Sequence, residues 1–282
     1  MQKRNVLNSP RLNELKKRRR KMVLNKILLS LFGIVVVFFF FTYISRAENL
    51  NISEIQMVGN EIVDTEEVRV AIWEEITGKY LWLFPKTNIL FYPQDFIKDS
   101  LLNKFKRIKT VNLSIENNKT LIVTVTERVA KYTWCGDAPL QTDEKCYFLD
   151  EDGYIFDEAP YFSGEVYFKF FGHSEPEEDY FFQERFKQLV SFVDTLIKIK
   201  LKPTSLYVTP NGDVEVLLSK GNQAKTEPKI IFKLDSDLEN IISNLESALN
   251  TEPLKSQFKN KYSSLEYIDL RFGNKVYNKF SK

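Results

Sequence analysis

The sequence predicts an α+β protein: a single N-terminal transmembrane helix, a small β-α-α-β-β domain, and a mixed α/β domain built on an antiparallel β-sheet. Three observations carry this. Residues 27–44 (ILLSLFGIVVVFFFFTYI) contain no charge. Beyond them, stretches of alternating apolar and polar residues, the period of a half-buried strand, are interrupted by stretches with helical spacing. Turn chemistry such as Asn211-Gly212 separates neighbouring strands. The expected division is residues 1–26 as a cytoplasmic basic tail, 27–44 as the membrane helix, 50–128 as the small domain and 129–282 as the β domain.

The 282-residue chain has a net charge of only +2, but that charge is unevenly spread. The first 26 residues hold ten Lys or Arg and one acid, Glu14, which leaves the remainder at −7. A basic tail on an acidic body is a localisation signal first and a nucleic-acid signal second. These 18 uncharged residues make a helix roughly 27 Å long, close to a hydrocarbon core of about 30 Å. Lys16 to Lys21 lies on the N-terminal side, whereas Arg46 is balanced by Glu48, so the positive-inside rule leaves the N-terminus in the cytoplasm. A cleaved signal peptide competes, because Ser45-Arg46-Ala47 fits small-x-small. The long basic region, the long apolar run and the Arg inside the cleavage pattern weigh against it.

Residues 52–58 alternate as a strand, and Gly59-Asn60 stops it. Asp64 or Thr65 caps a helix whose Val68, Ile72 and Ile76 form one face, and Gly78 ends it. Residues 79–92 (KYLWLFPKTNILFY) are a hydrophobic connection. A second helix starts near Pro93, with Phe96, Ile97, Leu101 and Phe105 at helical spacing. Strands at 111–115 and 121–125 flank a turn at 116–119. The second domain predicts strands at 129–134, 147–149, 154–156 and 166–171, then an amphipathic helix over 179–200. Strands follow at 205–208, 214–218 and 230–234, then a helix capped by Ser236 or Asp237, a strand at 265–272, and Val276-Tyr277.

Chemistry-bearing constellations are scarce. The lone His173 reads as a surface residue, and one His with two Cys supplies neither a His-rich nor a clustered-thiolate zinc site. Asp150-Glu151-Asp152-Gly153 begins like a calcium loop but lacks the later ligands, so a hairpin turn explains it better. No phosphate-binding loop, nucleophile elbow or Ser-x-x-Lys is present. We therefore expect no catalytic, metal or cofactor site. Cys135 and Cys146 bracket a polar loop in the exported part, where a disulfide can persist; two separate thiols is the alternative. Asn51, Asn112 and Asn118 begin glycosylation sequons of little weight.

The strand-helix-helix-strand-strand order directly after a membrane anchor resembles a POTRA domain of the FtsQ/DivIB family. Residues 55–60 (IQMVGN), Leu81-Trp82, and 121–125 with Glu127-Arg128 carry that resemblance. In the second domain, residues 147–156 (YFLDEDGYIF) and 267–272 (YIDLRF) are similar to that family's acidic turn and closing strand. The resemblance implies a non-enzymatic cell division protein of the cytoplasmic membrane, enriched at the division site. It implies partners of the FtsB/DivIC and FtsL type, together with other septal membrane proteins that dock on the POTRA domain, and no nucleic acid. The partner adds a strand to the edge of the β domain, which here implies Tyr267, Asp269, Arg271, Phe272, Gly273, Asn274, Lys275, Val276 and Tyr277. Phe272 and Tyr277 are the expected apolar anchors and Arg271 the charged contact. Alternatively, Ile268 and Leu270 fill the core while Asp269 and Arg271 are solvated. Trp82-Leu83-Phe84 either docks a partner or packs against the helices, and the disordered C-terminal extension of some members is not expected. Two other functions compete: a POTRA-containing component of secretion or outer-membrane assembly, and an enzyme acting on cell-wall polymers.

Overall fold

The computed structural model describes residues 10–139, 145–162, 166–174, 179–220 and 227–281. The chain divides into two compact units, one ending at Glu127 and the other starting at Arg128.

The first unit opens with helix α1 (Pro10–Ser45), which runs unbroken through the basic stretch and the apolar run. Among the described residues it is the one helix long and apolar enough to cross a membrane, and almost none of its apolar window is buried inside the protein. A short 3-10 turn, Glu48–Leu50, leads to β1 (Glu54–Val58), α2 (Thr65–Ile76), β2 (Lys79–Tyr80), β3 (Phe84–Pro85), α3 (Gln94–Lys104), β4 (Ile108–Glu116) and β5 (Thr120–Glu127). Asp64 caps α2 by accepting from the Glu66 and Glu67 N–H groups at 2.7 and 3.0 Å. The α2 face carried by Val68, Ala71, Ile72 and Ile76 is buried. Each such Ile contributes about 1.5–3 kcal/mol by leaving water. In α3, Ile97 and Leu101 are buried, but Phe96 points outward.

The sheet of this unit has the order β1-β5-β4, with β1 parallel and β4 antiparallel to β5. The β4–β5 turn places Asn117 and Asn118 at φ 51° and 57°. Two successive left-handed residues match the strand twist, and Asn tolerates that conformation best after Gly. At the end of β5, Glu127 accepts from the N–H groups of Glu61, Ile62 and Val63 at 2.8, 3.0 and 2.9 Å. Burial opposes its ionisation. The three backbone donors and the Arg107 charge outweigh that, and they hold its carboxyl below the usual range.

The second unit contains β6 (Tyr132–Trp134), β7 (Tyr147–Leu149), β8 (Ile155–Glu158), β9 (Phe168–Gly172), α4 (Gln183–Lys198), β10 (Pro203–Val208), β11 (Asp213–Leu218), β12 (Lys229–Lys233), α5 (Leu238–Leu249), α6 (Leu254–Lys261), β13 (Leu265–Phe272) and β14 (Lys275–Phe280). Among the described residues, its strands form one sheet in the order β14-β13-β12-β11-β10-β9-β6-β7-β8. The expectation of an antiparallel sheet is corrected: β6–β9, β9–β10 and β12–β13 are parallel pairs. Parallel neighbours need long crossovers, and α4 and the α5–α6 pair supply two of them. Phe170, Phe186, Phe192 and Phe232 fill the core beside Leu189 and Leu196 of α4. Helix α4 starts at Gln183, later than its amphipathic pattern suggests, because Tyr180 bridges to Tyr154 just before it. The acidic residues 175–178 that follow His173 lie outside the described residues.

Candidate functional site

The expected docking strand, residues 267–272, is not the edge of the sheet. β13 pairs with β12 on one side and with β14 on the other. The hairpin covers it: Gly273 turns the chain at φ 64°, and the Asn244 side chain of α5 donates to the Gly273 carbonyl at 3.2 Å. The open edge is β14, which faces no further strand among the described residues. Its sequence, KVYNKF, alternates only weakly, so periodicity exposes just Val276-Tyr277 as a strand. Lys275 and Lys279 lie on it, the residue type that discourages indiscriminate edge pairing.

The side chains of the hairpin sort into three groups. Ile268 and Leu270 are fully buried in the core. Asp269 is buried, and Arg271, with its side chain 31% exposed, is held by ion pairs. The Arg271 guanidinium donates to both Asp269 oxygens, at 2.9 and 2.6 Å, and to Asp213 of β11 at 2.7 Å. The Arg271 N–H also donates to Asp269 at 3.1 Å. Burial pushes the Asp269 carboxyl up, but the Arg271 side chain, its backbone N–H and its charge together hold it below the usual value. The same hydrogen bonds, from Asp269 first and Asp213 second, raise the already high pKa of Arg271. Arg271 therefore ties β13 to β11 through Asp213, with its side chain still 31% exposed.

Phe272 and Tyr277 are the outward group. A register shift between Asp269 and Phe272 rotates the strand, so Phe272 emerges only two residues beyond buried Leu270. The two rings meet edge to face at 5.2 Å and remain 56% and 50% exposed. Val276 is half-buried against the core, while Asn274 and Lys275 are exposed. Tyr267 is half-buried and pairs across to Lys279. The structure thus brings Phe272, Gly273, Asn274, Lys275, Val276 and Tyr277 together on one exposed hairpin, with the Arg271 guanidinium 5.8 Å from the Phe272 ring centroid and Asp269 buried.

Other candidates resolve locally. Cys135 and Cys146 form a disulfide. Asp150 uses both oxygens within the protein: one accepts from the Asp152 and Tyr154 N–H groups at 2.9 and 3.0 Å, the other from Arg128 at 2.5 Å. The acidic segment is a hairpin turn, and the Arg128 guanidinium lies 3.5 Å over the Tyr154 ring. His173 pairs with Asp137 at 3.4 Å on the surface. The Trp82 stretch divides: Trp82 is 90% exposed, as is its neighbour Leu81 at 80%, while Leu83 and Phe84 are half-buried. No protein-family model matches the chain, and no curated protein matches it.

Proposed function

We propose that this chain is a membrane-anchored scaffold of bacterial cell division, of the FtsQ/DivIB type, with its N-terminus in the cytoplasm and everything that follows α1 outside. It performs no chemistry itself. It captures membrane-tethered partners of the FtsB/DivIC and FtsL type by adding a partner strand to β14. The observation that carries this is the open β14 edge beside the exposed Phe272–Tyr277 pair. An unpaired edge offers backbone donors and acceptors for affinity, and the aromatic pair offers selectivity. The uncharged run of α1 and the basic stretch before it support the anchor and its orientation. Anchoring both partners in one membrane raises their effective concentration, so a modest strand interface suffices. On this reading the first unit is a POTRA domain that docks other septal membrane proteins.

The test is affinity capture from solubilised membranes with the full chain and its Phe272→Lys and Tyr277→Lys variants. Each substitution is expected to weaken partner capture by about tenfold or more while circular dichroism stays unchanged. Folded variants that capture partners equally well would remove β14 as the site. Recovery of outer-membrane clients, or turnover of cell-wall fragments, would replace the scaffold with one of the competing functions.

A further inference from the structure

The β2–β3 hairpin of the first unit has an unusual composition for a water-exposed turn. Its central residues are Leu81 and Trp82, at φ 47° and 61°. Such left-handed pairs normally call for Asn or Gly, yet here they display two large apolar side chains that are 80% and 90% exposed. The nearby Asn88–Tyr92 turn adds Leu90 and Phe91, 72% and 51% exposed. Between the two turns, Tyr80, Phe84 and Phe91 line a shallow apolar groove.

The position of this patch relative to α1 is fixed by directed contacts. Asn88, almost fully buried, donates to the Ser45 carbonyl at 2.9 Å, and Asn51 donates to the same carbonyl at 3.0 Å. Arg46 donates to the Leu83 carbonyl at 3.4 Å. Below this clasp the Phe84 ring packs edge to face on Phe38 of α1, at 5.6 Å. Phe38 lies seven residues before the end of α1, so the contact sits about 10 Å down the apolar helix from its C-terminus. Lys79 and Lys86 sit at the base of the hairpin, with the Lys86 ammonium 5.8 Å from the Tyr80 ring.

We infer that the Tyr80–Phe84 hairpin and the Leu90–Phe91 turn form a second membrane anchor, inserted into the interfacial layer of the leaflet where α1 emerges. This rests on the reading that α1 spans a bilayer. Once it does, a patch bonded against its last turns has lipid for a neighbour. Trp and Tyr at headgroup depth, apolar tips below and Lys or Arg above is the arrangement that interface selects. Lipid then covers the apolar surface that the strained turn presents.

The test uses the full chain in proteoliposomes, with the native disulfide intact and single cysteines introduced for an environment-sensitive label. The positions are Trp82→Cys, Phe40→Cys within α1, and Ile62→Cys on the exposed loop before α2. Lipids carrying a quencher at shallow or deep acyl positions report depth. The expected result is strong quenching of the label at 82 by shallow lipids, several-fold above that at 62, with the label at 40 quenched by deep lipids. A quenched label at 40 with a water-exposed label at 82 overturns the second anchor and leaves the patch to a protein partner. Unquenched labels at both 40 and 82 overturn the spanning reading and the anchor with it.

Discussion

At the scale of single residues, the Asp269–Arg271–Asp213 group shows how far a local motif can mislead. Two charges two residues apart on a strand share a face, and the sequence reads them either as partner contacts or as solvated. Their third member, Asp213, lies 58 residues away and is brought in only by strand order, to which no local signal points. The group should be visible in the pH dependence of stability. The Asp269 carboxyl is held below its ordinary 3.8, so its contribution is complete above that value and is lost as pH falls through the folded one. Glu127 of the first unit behaves in the same sense. We expect Asp269→Asn to cost about 1–3 kcal/mol at neutral pH. We also expect it to flatten the acid limb of urea-unfolding stability for the second unit below about pH 4. An unchanged acid limb would show that Arg271 is held by Asp213 alone.

At the scale of elements, legibility follows how much of an element is local. α2 and α5 were visible because Asp64 and Asp237 announce their first turns and their apolar residues recur at helical spacing. α6 was missed, since only Leu254 and Phe258 mark it, and β14 was half missed because an edge strand has little apolar face to alternate. The parallel pairs were illegible for a different reason: direction belongs to the crossover, not to the strand. The 150–154 turn was legible as a turn, but its tolerance depends on a neighbour from α4. Gly153 has φ 82°, and a Cβ there would come within 2.7 Å of the Phe186 ring. Gly153→Ala is therefore expected to cost about 2–4 kcal/mol, from backbone strain and overpacking together. Thermal unfolding measures this, and a near-neutral effect would mean that the β7–β8 hairpin can shift away from α4.

At the scale of the whole molecule, the two units have separate apolar cores, one built on Ile72, Ile97 and Leu121 and the other on Phe170, Phe186 and Phe232. Composition and hydropathy were enough to anticipate a long apolar helix followed by folded units, because those depend on sums over many residues. Calorimetry of the full chain is expected to show two transitions. The Cys135–Cys146 bridge joins residues 11 apart, entirely within the second unit. Reduction should destabilise that unit by about 3 kcal/mol through the freed loop of the unfolded chain, and should leave the other transition in place. A shift in both transitions would mean that the units unfold together.

The clasp of Asn51 and Asn88 on the Ser45 carbonyl has a mechanical consequence. A lone helix in a bilayer ordinarily spins about its long axis, and a slack tether lets its cargo point anywhere. Here the last carbonyl of α1 is grasped by two amides of the domain it carries. On the proposed reading that α1 spans a bilayer, torsion of the helix is passed to the strands and helices that follow it, and their azimuth is set by whichever lipid or protein α1 meets there.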